Sequence, residues 1–136
     1  MDPIRSEFAP DASLTRGEME SLQREVAAAA TWADAFNFDP GSIGAAGGPA
    51  TDGDARQATL SPESPLPLVA GVDQAFLDDR AVSVVVLRRG DDIVERAHAV
   101  TGLEIPYIPG LLAFREGVPI LAAFAELESD PDLVVF

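Results

Sequence analysis

Two prolines enclose an aromatic residue in Pro106-Tyr107-Ile108-Pro109-Gly110, and the run leads on into Phe114-Arg115-Glu116. Proline fixes φ at about −65° and has no N–H to donate, so Tyr107-Ile108 stands in a stiff, projecting loop. A stiff loop tipped with aromatic and apolar groups can enter a base stack and hold it open. A carboxylate a few residues behind it, Glu116, can hold a metal over a nucleic-acid backbone. The same residues admit a plainer reading, a proline-bounded crossover loop whose Tyr packs on the core.

A second carboxylate, Asp73, interrupts the apolar segment Leu68 to Phe76. A carboxylate inside a central strand is costly unless it is paired or bound to a cation. Asp73 is therefore either a metal ligand or the partner of an arginine, with Arg115 the candidate. Glu116 on its own reads as helix N-terminal electrostatics, worth about 0.3–1 kcal/mol. Together the two suit phosphodiester hydrolysis, which needs a deprotonated water and a stabilised leaving oxyanion. Two divalent ions about 3.5–4 Å apart can serve both oxygens. Magnesium takes oxygen ligands and keeps several waters, so each ion needs only one or two carboxylates. His98 lies in a strand and reads as structural or exposed.

The elements that must position these residues start with a helix. Thr15 followed by Glu18 is a capping box. Met19, Leu22, Val26, Ala29, Ala33 and Phe36 recur at helical spacing as one apolar stripe, with Trp32 beside it, and this helix reads as a packing element. The first dozen residues show no periodicity and are expected to be mobile. Residues 37–65, rich in Gly, Pro, Asp and Ser, read as a flexible linker without a phosphate-loop signature. From 66 to 136 the chain reads as strands and one helix. Leu68–Phe76, Ala81–Leu87 and Ile93–Thr101 are joined by turns short enough to force an antiparallel meander. Pro119 suits the first turn of a helix that buries Ile120, Leu121, Phe124 and Leu127, with Leu111–Arg115 as a separate turn or its kinked start. Leu133–Phe136 begins a fourth strand, and a connection through a helix favours its parallel pairing beside the first.

At 136 residues and 47% hydrophobic content the chain allows one domain with a core. It has no Cys, which excludes disulfides and thiolate metal sites. No apolar run reaches membrane-spanning length and no signal peptide opens the chain, so the cytoplasm is the expected compartment and no membrane the expected partner. The net charge is −14, from 23 acidic residues against 9 basic ones, all Arg. Such a chain repels DNA at long range. In a cytoplasm of very high salt the Debye length shrinks to about 3 Å at 1 M, and that objection disappears. Lysine-free, acidic, Ala- and Gly-rich composition fits a halophile.

The string PYIPGLLAFREG, with LVAGVDQAF before it and PDLVVF after it, resembles the endonuclease V family, the deoxyinosine-directed DNA repair nucleases. The resemblance covers residues 66–136, with Gly71-Val72-Asp73 matching the family's G-x-D strand. It implies a ribonuclease H-like α/β fold: three antiparallel strands, a helix and a parallel fourth strand, truncated here and preceded by an added N-terminal helix. It implies Asp73 and Glu116 as catalytic ligands of Mg2+, with Mn2+ as a substitute. Pro106, Tyr107, Ile108 and Pro109 become the strand-separating wedge, and the backbone at Gly110 and Leu112 becomes part of the hypoxanthine pocket. The implied reaction is hydrolysis one phosphodiester beyond the lesion on its 3′ side. The implied partner is inosine-containing DNA, with RNA as the alternative strand, bound by a monomer. The family's third aspartate follows the segment that here reaches Phe136, so the resemblance implies an N-terminal half that is inactive alone.

Two other readings use the same residues. One is another ribonuclease H-like nuclease without inosine preference, such as the C-terminal nuclease domain of the excision-repair incision protein; the PYIPG string argues against it. The other is a non-enzymatic acidic binding module in which an arginine neutralises Asp73.

Overall fold

Alternation of side chains along three consecutive strands sets the architecture. The computed structural model describes residues 5–33, 36–44 and 66–136. β1 (Leu68–Leu77), β2 (Arg80–Arg89) and β3 (Asp92–Gly102) form the expected meander, with Leu77 paired to Arg80 and Arg89 to Asp92. Both hairpins turn on residues with positive φ, Asp78 at 52° and Gly90 at 60°, conformations that Asp tolerates and Gly adopts without steric cost. α2 (Leu112–Ala125) follows, and then β4 (Leu133–Val135). β4 lies parallel to β1, with Gly71 opposite Val135, giving the sheet order β3-β2-β1-β4.

One face of the sheet is covered by α2. Leu68 and Ala70 of β1, Val85 and Leu87 of β2 and Ala97 of β3 close on Ala123, Phe124 and Leu127. Each fully buried Leu, Val or Phe among them contributes about 1.5–3 kcal/mol. A second, separate cluster joins Met19, Ile105, Leu111 and Phe114, with Ala12, Leu14, Leu22 and Ile108 packed on it. This second cluster lies under the loop between β3 and α2.

Pro119 is not in a first turn but inside α2, fully buried, so Leu111–Arg115 and the later residues belong to one helix. Burial of the ring outweighs the local preference that puts proline at helix starts. α1 (Arg16–Ala29) opens on the expected box: the Thr15 N–H donates to Glu18 Oε2 at 2.8 Å, and Thr15 Oγ1 accepts from the Glu18 N–H at 3.4 Å. It closes earlier than its apolar stripe, because Ala30 turns extended; Trp32 is 97% exposed and Phe36 is exposed. At the far end of the stripe Phe36 meets only its neighbour Phe38 among the described residues, at 5.2 Å between ring centroids, and even Val26 is exposed.

The described residues before α1 lie against the second cluster and α2. Ser6–Phe8 form a 3-10 turn, Ala12 and Leu14 reach the second cluster, and Pro10 fills the place a side chain would take at Gly117. A Cβ there would lie 2.7 Å from the proline Cγ. Of the glycine-rich segment, Pro40–Gly44 form a 3-10 turn and residues 45–65 lie outside the described residues. Among the described residues no helix is long and apolar enough to cross a membrane.

Candidate nucleic-acid and metal site

The loop carrying Tyr107 is held from beneath by its isoleucines. Ile105 is buried and Ile108 half-buried against Met19, Leu111 and Phe114. Pro106 and Tyr107 between them face solvent, Tyr107 with 65% of its surface. The Ile108 carbonyl accepts the Leu111 N–H at 3.0 Å, closing a β-turn with Pro109 second and Gly110 third. Gly110 has φ 87°, the value a type II turn requires at that place. The plainer reading of Tyr107 as a core residue therefore fails: the isoleucines pack and the ring projects.

The turn runs straight into α2. Leu111 is its N-cap and gives no side-chain cap, so the first N–H groups, Leu112 among them, lack a side-chain acceptor. Leu112 is exposed, and a Cβ built on Gly110 meets nothing within 4 Å. The backbone at Gly110 and Leu112 thus borders open space.

Glu116 stands in the second turn of α2. Its main-chain carbonyl accepts from Gln74 Nε2 at 3.3 Å, and the same amide nitrogen lies 2.7 Å from Ser83 Oγ. Gln74 directly follows Asp73, so the strand carrying one candidate carboxylate grips the main chain of the other. The Glu116 carboxylate has no hydrogen bond or ion pair among the described residues. Two buried polar atoms near this grip, Gln74 Oε1 and Thr101 Oγ1, have no partner.

Asp73 departs from expectation. Leu68, Ala70, Val72 and Gln74 face α2, so strict alternation turns Asp73 to the opposite face, where it is exposed rather than buried. Its Oδ1 accepts the Gln74 N–H at 2.8 Å. Arg115 is not its partner, since that guanidinium lies over the Phe76 ring at 5.1 Å. Among the described residues no arginine pairs with Asp73, so the neutralised-aspartate reading finds no cation there. Among the described residues no three His, Cys, Asp or Glu side chains form a metal-sized group. Asp73 stands on the sheet face away from α2 and Glu116 on α2 itself, and neither carboxylate is paired to a cation among the described residues. Carboxylate oxygens are the donors a hard divalent ion takes, and such an ion needs only one or two of them because it keeps several waters. His98 is exposed on β3, in the same row across the sheet as Asp73 and Val84.

Sequence reasoning missed two contributors. Gln74 was hidden in an apolar strand, although its place in the alternation marked it as inward-facing. α1 had been assigned to packing alone. In fact its Glu20, Gln23 and Arg24 line a cleft of about 440 Å³ together with Pro109, Gly110 and Leu111. The recurrence of Glu20, Gln23 and Arg24 at helical spacing beside Met19 was the available signal.

Comparison with known proteins places this geometry. The family profile described as Endonuclease V matches residues 54–136. The Endonuclease V of the halophilic archaeon Haloarcula marismortui is 51% identical over 134 residues, 98% of this chain and 49% of the relative. The crystal structure of Endonuclease V from Streptomyces avermitilis superposes with a TM-score of 0.57 and 30% identity, covering 88% of this chain and 43% of that one. That from Bacillus subtilis, at 21% identity, gives 0.64 over 91% and 45% respectively, a likeness of fold. The architecture is ribonuclease H-like, and the chain spans about half the length of the relatives it matches. With the profile covering the sheet, the Tyr107 loop and both carboxylates, the chain belongs to the endonuclease V family.

Proposed function

We propose that this chain forms part of a DNA repair endonuclease that recognises deoxyinosine and hydrolyses a phosphodiester on the 3′ side of the lesion. Membership of the family supports the nuclease reading. The observation that carries the lesion reading is the exposed Tyr107, set between a buried Ile105 and a half-buried Ile108 and followed at once by the helix bearing Glu116. Tyr107, with Pro106, Ile108 and Pro109, enters the stack and fills the space of the extruded base. The backbone at Gly110 and Leu112 reads the base; a tight pocket of backbone donors and acceptors rejects bases carrying an added exocyclic amine.

Asp73 and Glu116 would hold Mg2+, with Mn2+ as a substitute. The bound ion supplies Lewis acidity and a lowered water pKa for in-line hydrolysis. Glu116 is set in height by the Gln74 grip on its main chain, so both carboxylates answer to β1. An acidic residue following Phe136 in the full-length protein, which the family pattern implies, would supply a third oxygen donor, and residues 1–136 alone would not cut. The enzyme works as a cytoplasmic monomer on inosine-containing DNA, with inosine-containing RNA as the alternative strand.

The test uses two variants of the full-length protein on single-stranded and duplex substrates, DNA and RNA. Glu116→Gln removes the charge and keeps the shape; cleavage should vanish while inosine-DNA binding largely remains. Tyr107→Ala should weaken lesion binding by roughly one to two powers of ten, from about 1–3 kcal/mol of stacking. Its defect should be larger on duplex, where unstacking costs more. Equal loss of binding in both variants, or a Tyr107 defect indifferent to strandedness, refutes the wedge.

A further inference from the structure

α1 does more than pack. Met19 on one side of the helix is buried with Ile105, Leu111 and Phe114, and Leu22 packs beside it. This anchor turns Glu20, Gln23 and Arg24 toward the Pro109-Gly110-Leu111 turn, across a cleft of about 440 Å³. The cleft is shallow and open to solvent, as a surface that follows a strand would be. One wall is therefore the turn that the proposed function assigns to the base, and the other is a polar helix face.

The charges in the cleft differ from those of the chain as a whole. Glu20 is neutralised by Arg16 at 2.9 Å. Gln23 is neutral. Arg24 donates from Nε to the Glu20 carbonyl at 2.9 Å, which holds the guanidinium against its own helix. It has no carboxylate partner among the described residues. In a chain of net charge −14, a cation held in place and left without a counter-ion beside Gly110 calls for an anion. A phosphodiester matches it, since a guanidinium offers parallel N–H donors to two phosphate oxygens. In high salt, long-range steering is screened, so holding a strand falls to short-range contacts of this kind.

We propose that α1 is the second wall of the lesion cleft and that Arg24 binds a backbone phosphate of the strand whose base the Gly110 turn reads. This assignment rests on the function proposed above and extends it to residues that the family profile, beginning at residue 54, does not cover.

The experiment measures strand affinity of the full-length protein against KCl concentration, in a Glu116→Gln background that keeps the strand intact. Probes are single-stranded DNA with one inosine and the same strand without it. Arg24→Gln should weaken both strands alike and reduce the slope of log K against log salt by about 0.7, the loss of one phosphate contact. Arg24→Lys should keep most of that slope. Arg5→Gln makes the same charge change at a residue paired with Glu7 outside the cleft, and should leave the slope unchanged. If Arg24→Gln and Arg5→Gln behave identically while preference for the inosine strand persists, the α1 assignment is wrong and the lesion reading stands. If the parent protein shows no preference for inosine but Arg24→Gln still lowers the slope, the phosphate contact stands and the base reading falls.

Discussion

Met19 is the pin that fastens α1 to the Tyr107 loop, and its removal gives a local rather than a global prediction. The side chain is 4% exposed and shares its cluster with Ile105, Leu111 and Phe114. Truncating a buried Met to Ala costs about 2–5 kcal/mol in well-packed cores. Here Leu22 and Ile108 are only half-buried and can close on the gap, so the low end, about 2 kcal/mol, applies. At 1.4 kcal/mol per tenfold, Met19→Ala weakens the docking of α1 by about 30-fold. Because this cluster is separate from the one under the sheet, the loss should stay with α1 and its loop. Native-state hydrogen exchange reads both regions at once. Amides of α1 should exchange about 30-fold faster in the variant, while those of β1 and β2 hardly change. Val26→Ala, at an exposed position of the same helix, should stay within about 0.5 kcal/mol of the parent. Equal acceleration in the sheet, or none in α1, refutes the idea of an independently docked helix.

Gly110→Ala places a side chain in open space but at φ 87°, so urea unfolding should show a purely conformational loss of about 1–2 kcal/mol; a neutral substitution would mean the turn is not fixed. Glu95 accepts the main-chain N–H of Glu128 at 2.7 Å and that of Ser129 at 3.2 Å, and the Glu128 bond above all holds its carboxyl below the ordinary value of 4.5. A depressed folded-state pKa stabilises fully above the unfolded value and is lost as pH falls through the folded one. Glu95→Gln should therefore flatten the decline of the denaturant midpoint below pH 4.5, and an unchanged decline would remove Glu95 as its cause. With a net charge of −14, self-repulsion should make the thermal midpoint rise steeply with KCl into the molar range; a flat midpoint would remove the halophilic reading of the composition.

Sequence patterns exposed most of the sheet because its causes are local. Val-rich alternation and the Asp78-Asp79 and Gly90-Asp91 turns fix the meander, and a helical connection fixes the parallel sense of β4. The Tyr107 loop was legible for the same reason, since two prolines and a glycine constrain their own backbone. What escaped reading depends on distant partners. Leu68–Phe76 is apolar on both faces, so polarity alone did not show which way Asp73 points. Pro119 defies its local preference because a core lies beneath it. The helix end at Ala29 was masked by Ala30 and Ala33, good helix formers that are exposed. Docking of the first residues needed the slot at Gly117, which no local pattern announces.

Pro119 has a mechanical consequence. With no N–H at that position, the Arg115 carbonyl loses its helical partner, and one link of the ladder is missing across the turn that bears Glu116. Beyond the break, α2 is fastened to the apolar core through Ala123 and Phe124. Before it, the helix is fastened to β1 through Gln74 and to the Tyr107 loop through Phe114. The two halves thus have different moorings. A strain transmitted through the core is absorbed at the proline, whereas a shift of the Tyr107 loop reaches Glu116 through the first turn of α2.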